Sequence, residues 1–252
     1  MTKEQKIVKF NLIMSFTLLG IFLIMLVGIT IAYFSDMKQN AYILTSGNVN
    51  IMLSESAIKQ DSTGNFVKDP DNMPIFGGKE TTVRDYGKIF PAQFVDKDPT
   101  ITNTGDNSAW IAAKVILTDG EGDLRKVMGY EGFDALDIEV LLSGGLLDEE
   151  IHFGDWNGFE NVCHNDRYAM LQNPNAADGV YEFYFIMLSP LKVGDSVTLF
   201  DRLTVPAEWD NAEMQELCDL KIQVQAFGVQ TQHLGSCFEA MTEAFPDHFN
   251  LN

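Results

Sequence analysis

The sequence predicts a mainly β protein, an antiparallel β-sandwich with a few short helices. Two observations predict this fold: short segments with alternating apolar and polar residues recur along the chain, and turn residues separate them. A period of two is typical of strands with one buried face, and many short strands with few helices favour a sandwich. Hydrophobic residues make up 46% of the chain, which argues against disorder.

An apolar segment precedes this β chain. Lys3, Lys6 and Lys9 come before a run at residues 12–32 that contains no charged residue. A basic start followed by an apolar stretch is typical of an export signal, so residues 1–33 are predicted to be a signal peptide. The run is also long enough to cross a bilayer, so an uncleaved N-terminal anchor helix with its lysines inside is the alternative.

Five strands are predicted in the chain beyond the signal. In the first, Val49, Ile51 and Leu53 alternate with Asn48, Asn50 and Met52. The others are a buried strand at 109–118, a central strand at 180–188, a strand at 197–205, and a one-sided strand at 220–226. Residues 48–252 are therefore expected to form one sandwich domain.

The end of the domain is predicted to be helical, near residues 236–246. Ser236 and Glu239 have the spacing of a capping box, and Pro246 would end the helix. One apolar stripe is expected from Leu234, Phe238, Met241 and Phe245.

Two segments show less regular patterns and are interpreted as insertions, near residues 55–90 and 119–180. Within the first, residues 59–80 are polar and rich in Gly and Pro, which indicates a long loop or a short hairpin. The second holds an acidic turn at 119–123, a short helix expected near 124–129, and the pair Gly144-Gly145.

Charge and cysteine content limit the partners. The net charge of −19 argues against nucleic acid, whose phosphates need clustered Lys and Arg. Cys163, Cys218 and Cys237 leave an odd thiol in an exported protein. A single disulfide, with Cys218–Cys237 as the best pair, and no disulfide at all both remain open.

Four segments, in order along the chain, resemble the TasA/camelysin family. They are residues 32–36 (AYFSD) with 46–51 (SGNVNI), 101–111 (ITNTGDNSAWI), 191–196 (LKVGDS) and 224–230 (VQAFGVQ). Residues 55–90 and 119–180 carry no such pattern. Residues 111–114 also lack the arginine that the family pattern has after the aromatic residue, so local packing there is expected to differ.

The resemblance implies a fold, a processing step and a function. It implies a jelly-roll form of the sandwich and cleavage by a dedicated signal peptidase near Ala32, Tyr33 and Phe34. It also implies a secreted protein of the extracellular matrix or cell surface. The expected function is that of a subunit or accessory of a biofilm-matrix fibre, with itself and other matrix or cell-wall components as partners.

The segment released by cleavage is the candidate for assembly. Residues 34–47 follow the expected cut and offer Phe34, Tyr42, Ile43 and Leu44 as anchors for a strand donated to the next subunit. Head-to-tail donation does not close, so it makes filaments. The alternatives are a strand of the same subunit or a frayed terminus.

Enzyme and metal functions find little support in the residues. Camelysin-type members have been described as metalloproteases, but His152, His164, His233 and His248 show no zinc-binding spacing, so no catalysis and no cofactor are predicted. The weak exception is calcium, for which the acidic residues Asp119, Glu121 and Asp123 and the loop at 61–71 are candidates beside their interpretation as solvated turns.

A surface module that binds a glycan or a protein partner is the main alternative function. Sandwich folds host many unrelated functions, so the fold does not exclude it. Its platform would be the aromatic residues at 156–159 and 181–185.

Overall fold

The computed structural model describes residues 35–39, 49–76, 90–118, 123–124, 141–216, 220–231 and 234–249. Of residues 35–39 it describes the backbone. The predicted signal or anchor helix at 1–33 and the acidic turn at 119–122 lie outside these ranges. Among the described residues, no helix has the length and apolar character needed to cross a membrane.

The described chain is mainly β, as predicted, and its strands form three sheets. The large sheet has the order β1-β16-β8-β13-β12-β11-β10, with all neighbours antiparallel. Its strands are β1 (Ser35–Gln39), β8 (Ala109–Thr118), β10 (His152–Trp156), β11 (Phe159–His164), β12 (Tyr168–Gln172), β13 (Val180–Met187) and β16 (Lys221–Gln230).

Two smaller sheets face the large one. One has the order β14-β7-β2-β5, from β14 (Ser196–Thr198), β7 (Thr100–Asn103), β2 (Ile51–Glu55) and β5 (Ile75–Phe76). The other has the order β3-β4-β6-β15-β9, from β3 (Ile58–Gln60), β4 (Phe66–Lys68), β6 (Phe94–Asp96), β15 (Arg202–Thr204) and β9 (Leu142–Ser143). One contact departs from the antiparallel prediction, because Phe66 pairs with Val95 in parallel.

The main core lies between the large sheet and the smaller ones, which makes the fold sandwich-like. Phe183 and Val115 of the large sheet share one buried cluster with Ile51, Ile101 and Leu203 of the smaller sheets. These positions recur at every second residue, because successive side chains of a strand point to opposite faces.

Helices cover the outer face of the large sheet. The described α-helices are α1 (Asn211–Glu216), α2 (Cys237–Ala244) and α3 (Pro246–Phe249). The helices on this face are α2 and α3, whereas Met214 of α1 packs against the main core. Phe227 and Tyr184 are buried there against Phe245 and Phe249. The central strands are therefore buried on both faces, which explains their nearly continuous apolar sequences.

The predicted helix and its cap are confirmed in outline. The Ser236 hydroxyl accepts a hydrogen bond from the Glu239 backbone N–H at 3.2 Å, while the Glu239 carboxylate accepts from Gly235 rather than from Ser236. The predicted stripe is confirmed, since Met241 and Phe245 are buried in the outer cluster and Leu234 and Phe238 are half-buried against it. Cys237 and Ala240 of α2 are buried beside them. Pro246 ends α2 and begins α3, because a first helical position needs no N–H.

The strand predicted at 197–205 is wrong as a single element. Residues 196–198 belong to one small sheet and 202–204 to the other, and the buried pair Leu199 and Phe200 connects them. The Gly144-Gly145 turn packs against this crossing. A Cβ on Gly145, whose φ is +59°, would lie 2.6 Å from the carbonyl oxygen of Thr198.

The insertions contain more strands than predicted. At 58–68 the hairpin alternative is confirmed by β3 and β4. Residues 152–172 form three strands of the large sheet that the sequence analysis missed. Asn157 and Gly158, with φ of 49° and 87°, form the two-residue turn between β10 and β11, and an Asn-Gly pair is a strong hairpin signal.

Candidate functional site

The outermost strand at one end of the large sheet, β1, is the described part of the predicted assembly segment. It pairs antiparallel with β16 over five consecutive residues, from Ser35 opposite Val229 to Gln39 opposite Gln225. On its other side β16 pairs with β8 along its whole length. We call this margin of the sheet the β1 edge.

Most of the predicted processing and assembly residues lie outside the described ranges. These residues are Ala32, Tyr33, Phe34, Tyr42, Ile43 and Leu44. Residues 35–39 pair with β16 of their own chain, which is the arrangement that the sequence analysis gave as the alternative to donation. Donation to a neighbouring subunit remains a prediction.

The strand that receives β1 is held firmly by the core. Ala226, Phe227 and Val229 of β16 are buried, and a Cβ on Gly228 would lie 2.9 Å from Cγ2 of Ile51. Gly228 thus lets β16 approach β2 closely. Contacts with both layers of the sandwich therefore fix the position of β16 at the β1 edge.

The opposite margin of the large sheet differs in regularity and exposure. The pairing of β10 with β11 has a register irregularity between Gly154 and Trp156, and Phe153 is 51% exposed. His152 and His164 face each other across these strands, with ring centroids 6.4 Å apart. Irregular pairing discourages strand addition, so the regular β1 edge is the better place for it.

A group of polar side chains lies on the outer face of the large sheet, and the sequence analysis did not single it out. Glu182 on β13 receives the Lys114 ammonium at 2.6 Å on Oε1 and the Asn173 amide at 2.6 Å on Oε2. We call Lys114, Asn173 and Glu182 the polar triad. The Tyr184 hydroxyl also donates to Oε2, at 3.3 Å.

Burial and hydrogen bonding have opposite effects on the pKa of Glu182 in the triad. Burial raises the pKa of Glu182, but the hydrogen bonds from Lys114 and Asn173 lower it more, so the pKa lies below its usual value. Burial and the neighbouring carboxylate raise the pKa of Tyr184. The sequence contained a signal for this group. Each of two mostly apolar strands carries one charged residue, Lys114 in β8 and Glu182 in β13, and the two charges have opposite signs.

The described residues give no geometry for a metal. They include no group of three or more His, Cys, Asp or Glu that could hold an ion. Of the calcium candidates, Asp119 and Glu121 lie outside the described ranges and Asp123 lies inside. His233 also lies outside.

In the loop at 61–71 the carboxylates are occupied by local hydrogen bonds. Asp61 accepts from Thr63 and from the Asn65 N–H, and Asp69 accepts from Lys59 and Asn72. These bonds lower the pKa values of both carboxyl groups. The interpretation as polar turns therefore suits this loop.

The two cysteines that the structure describes fit the alternative without a disulfide. Cys237 is a buried free thiol that donates to the Ile111 carbonyl at 3.1 Å, and burial raises its pKa. Cys163 is also buried, and Cys218 lies outside the described ranges. The Cys218–Cys237 disulfide is therefore absent from the structure.

One predicted glycan platform is wrong. Tyr181, Phe183, Tyr184 and Phe185 are all buried in the two cores, so none can stack on a sugar. Trp156 and Phe159 are half-buried and pack edge-on against Phe238 of α2 at 5.9 and 5.3 Å. Both sets of aromatic residues hold the fold together.

Compared with protein-family models, with curated proteins and with solved structures, the chain gives no match. The likeness to the TasA/camelysin family therefore rests on the sequence segments alone.

Proposed function

We propose that this protein is an exported structural protein, a subunit or accessory of an extracellular biofilm-matrix fibre that assembles by N-terminal strand donation. The observation that carries the proposal is the position of β1. A strand just after the expected signal cleavage region occupies a regular sheet edge beside β16, which is buried over residues 224–230.

The proposed exchange uses the same pairing twice. In a single subunit residues 35–39 fill the place beside β16, and in a fibre the same residues of a neighbour fill it. Exchange of an identical element costs little free energy, because the contacts broken are made again between subunits. A jelly-roll form of the sandwich and a dedicated signal peptidase belong to the same proposal, through the sequence resemblance.

A cysteine pair across β1 and β16 distinguishes the two arrangements. Ser35→Cys combined with Val229→Cys places thiols on directly opposed residues of two paired strands. Cβ atoms of such residues are typically about 4.5–5.5 Å apart, which is within reach of a disulfide after small adjustments. The protein would be assembled under reducing conditions, oxidised, and run on a denaturing gel without reductant. Strand donation predicts a covalent ladder of multimers, because each bond joins two subunits.

The controls separate donation from other kinds of association. Each single cysteine variant should give no ladder, which accounts for the three native cysteines. Deletion of residues 34–44 should leave a soluble monomer in negative-stain images. Filaments from the deletion variant, or filaments whose double-cysteine subunits run as monomers, would refute donation. A monomeric surface module would give neither filaments nor ladder and would be retained on a glycan or partner resin.

A further inference from the structure

We propose that Lys114 and Asn173 become joined by an intramolecular isopeptide bond, with Glu182 as the group that moves the protons. This inference does not depend on fibre assembly, so either proposal can fail without the other.

One carboxylate, that of Glu182, contacts both reacting partners. Lys114 Nζ lies 2.6 Å from Oε1 of Glu182, and Asn173 Nδ2 lies 2.6 Å from Oε2. Lys114 and Glu182 lie on the neighbouring strands β8 and β13, Asn173 directly follows β12 on the other side of β13, and the Asn173 N–H donates to the Glu182 carbonyl at 2.8 Å. The amine and the amide are thus brought to the two oxygens of a single group.

The carbonyl oxygen of the Asn173 side-chain amide also has a hydrogen-bond donor. The Oδ1 atom of Asn173 accepts a hydrogen bond from the Asn175 N–H at 3.0 Å. Charge develops on this oxygen when a nucleophile attacks Cγ, and a fixed backbone donor there stabilises that charge. The Asn173 amide therefore donates a hydrogen bond through Nδ2, the nitrogen that would leave, and accepts one through its carbonyl oxygen.

Water has limited access to the polar triad. The side chains of Lys114 and Glu182 are 11% and 16% exposed, and the Lys114 ammonium lies 5.3 Å from the centroid of the buried Tyr184 ring. Asn173 is half-buried, so access of water to the amide is restricted, which slows the hydrolysis that would compete with attack by the amine.

The reaction balances without an oxidant or a cofactor. Lys114 first passes a proton to Glu182 and becomes a neutral amine. Its lone pair forms the new bond to Cγ of Asn173. The Cγ–Nδ2 bond then breaks, the departing NH2 group takes the proton held by Glu182 and leaves as ammonia, and the carboxylate takes up the extra proton of the new amide nitrogen. Because the charged pair is the resting state, the reaction is slow, but each chain needs it once.

A second buried pair serves as the comparison. Lys97 Nζ lies 2.7 Å from Oε1 of Glu55, with side chains 8% and 18% exposed. The hydrogen bonds described for that carboxylate include no side-chain amide. Lys97 thus has the burial and the acid, but its described contacts hold no amide to attack.

Peptide mass spectrometry of the full chain tests the proposal. The native protein should be lighter than its sequence by one ammonia, trypsin should not cleave after Lys114, and fragment spectra should show linked peptides carrying Lys114 and Asn173. Cyclisation, the usual source of ammonia loss at asparagine, needs the next backbone N–H, and Pro174 has none. Loss at Asn157-Gly158 would be located elsewhere by the same spectra.

Variants separate the roles of the three residues. Lys114→Arg and Glu182→Gln should each keep the full mass, while Lys97→Arg should stay light by one ammonia. Asn173→Asp should lose one water instead, since the leaving group changes. Native protein with full mass and normal cleavage after Lys114 would overturn the proposal. This measurement uses the native chain, so it does not depend on whether any variant folds.

Discussion

The inner and outer faces of the large sheet are both buried over its central strands, but different partners bury them. The inner face is largely apolar and packs against the two smaller sheets. The outer face is apolar only beneath α2 and α3, and it also carries the polar triad. Apolar contacts on the inner face hold the layers together, whereas the outer face can also accommodate polar side chains that could react.

The largest expected effect comes from breaking the inner face. Phe183→Ala removes a fully buried ring from the core between the sheets, so we expect a loss of about 3–5 kcal/mol in the free energy of unfolding. Chemical denaturation followed by circular dichroism measures it.

A matched control lies in the same sheet. Phe153→Ala changes the same residue type at a 51% exposed position on β10, so its effect should stay within about 0.5 kcal/mol. Equal losses at both positions would mean that the inner face is not the main core.

A smaller effect is expected on the outer face, where Ser236 caps α2. Ser236→Ala leaves the Glu239 N–H without its side-chain acceptor, which should cost about 1 kcal/mol. Ser236→Asp keeps an acceptor and should retain most of the stability in the same denaturation assay. If both variants lost the same free energy, the cap would not anchor the helix cover.

The contrast between the faces also explains what the sequence could predict. Residues 109–118 and 180–187 carry nearly continuous apolar runs because both of their faces are covered, so their strands were found. The strand at 152–156 is mostly exposed and contains Gly154 and Asp155, so hydrophobic pattern could not reveal it. For this strand the turn residues Asn157 and Gly158 indicated a hairpin, whereas the hydrophobic pattern gave no signal.

The candidate sites were less predictable for a physical reason. The position of β1 beside β16 joins residues far apart in the chain, and no local pattern encodes that pairing. The polar triad likewise joins three strands through one carboxylate. Lone charges in apolar strands could have indicated buried pairing, since buried charges need partners, but not which amide would join them.

The smallest expected effect is the pH dependence that His248 adds at the margin of the outer face. Its ring lies 5.2 Å from that of Phe227, and burial first, then the charge of Lys114, lowers its pKa below 6.5 against the opposing carboxylates of Asp247 and Glu182. The unfolded chain therefore binds the proton more readily. The contribution of the neutral ring to stability is present above pH 6.5 and is lost as the pH falls through the folded pKa. His248→Gln should lose stability less steeply than the native protein over that interval, in denaturation midpoints measured on both sides of pH 6.5. Parallel curves for the two proteins would show that α3 does not hold this ring against the sheet in solution.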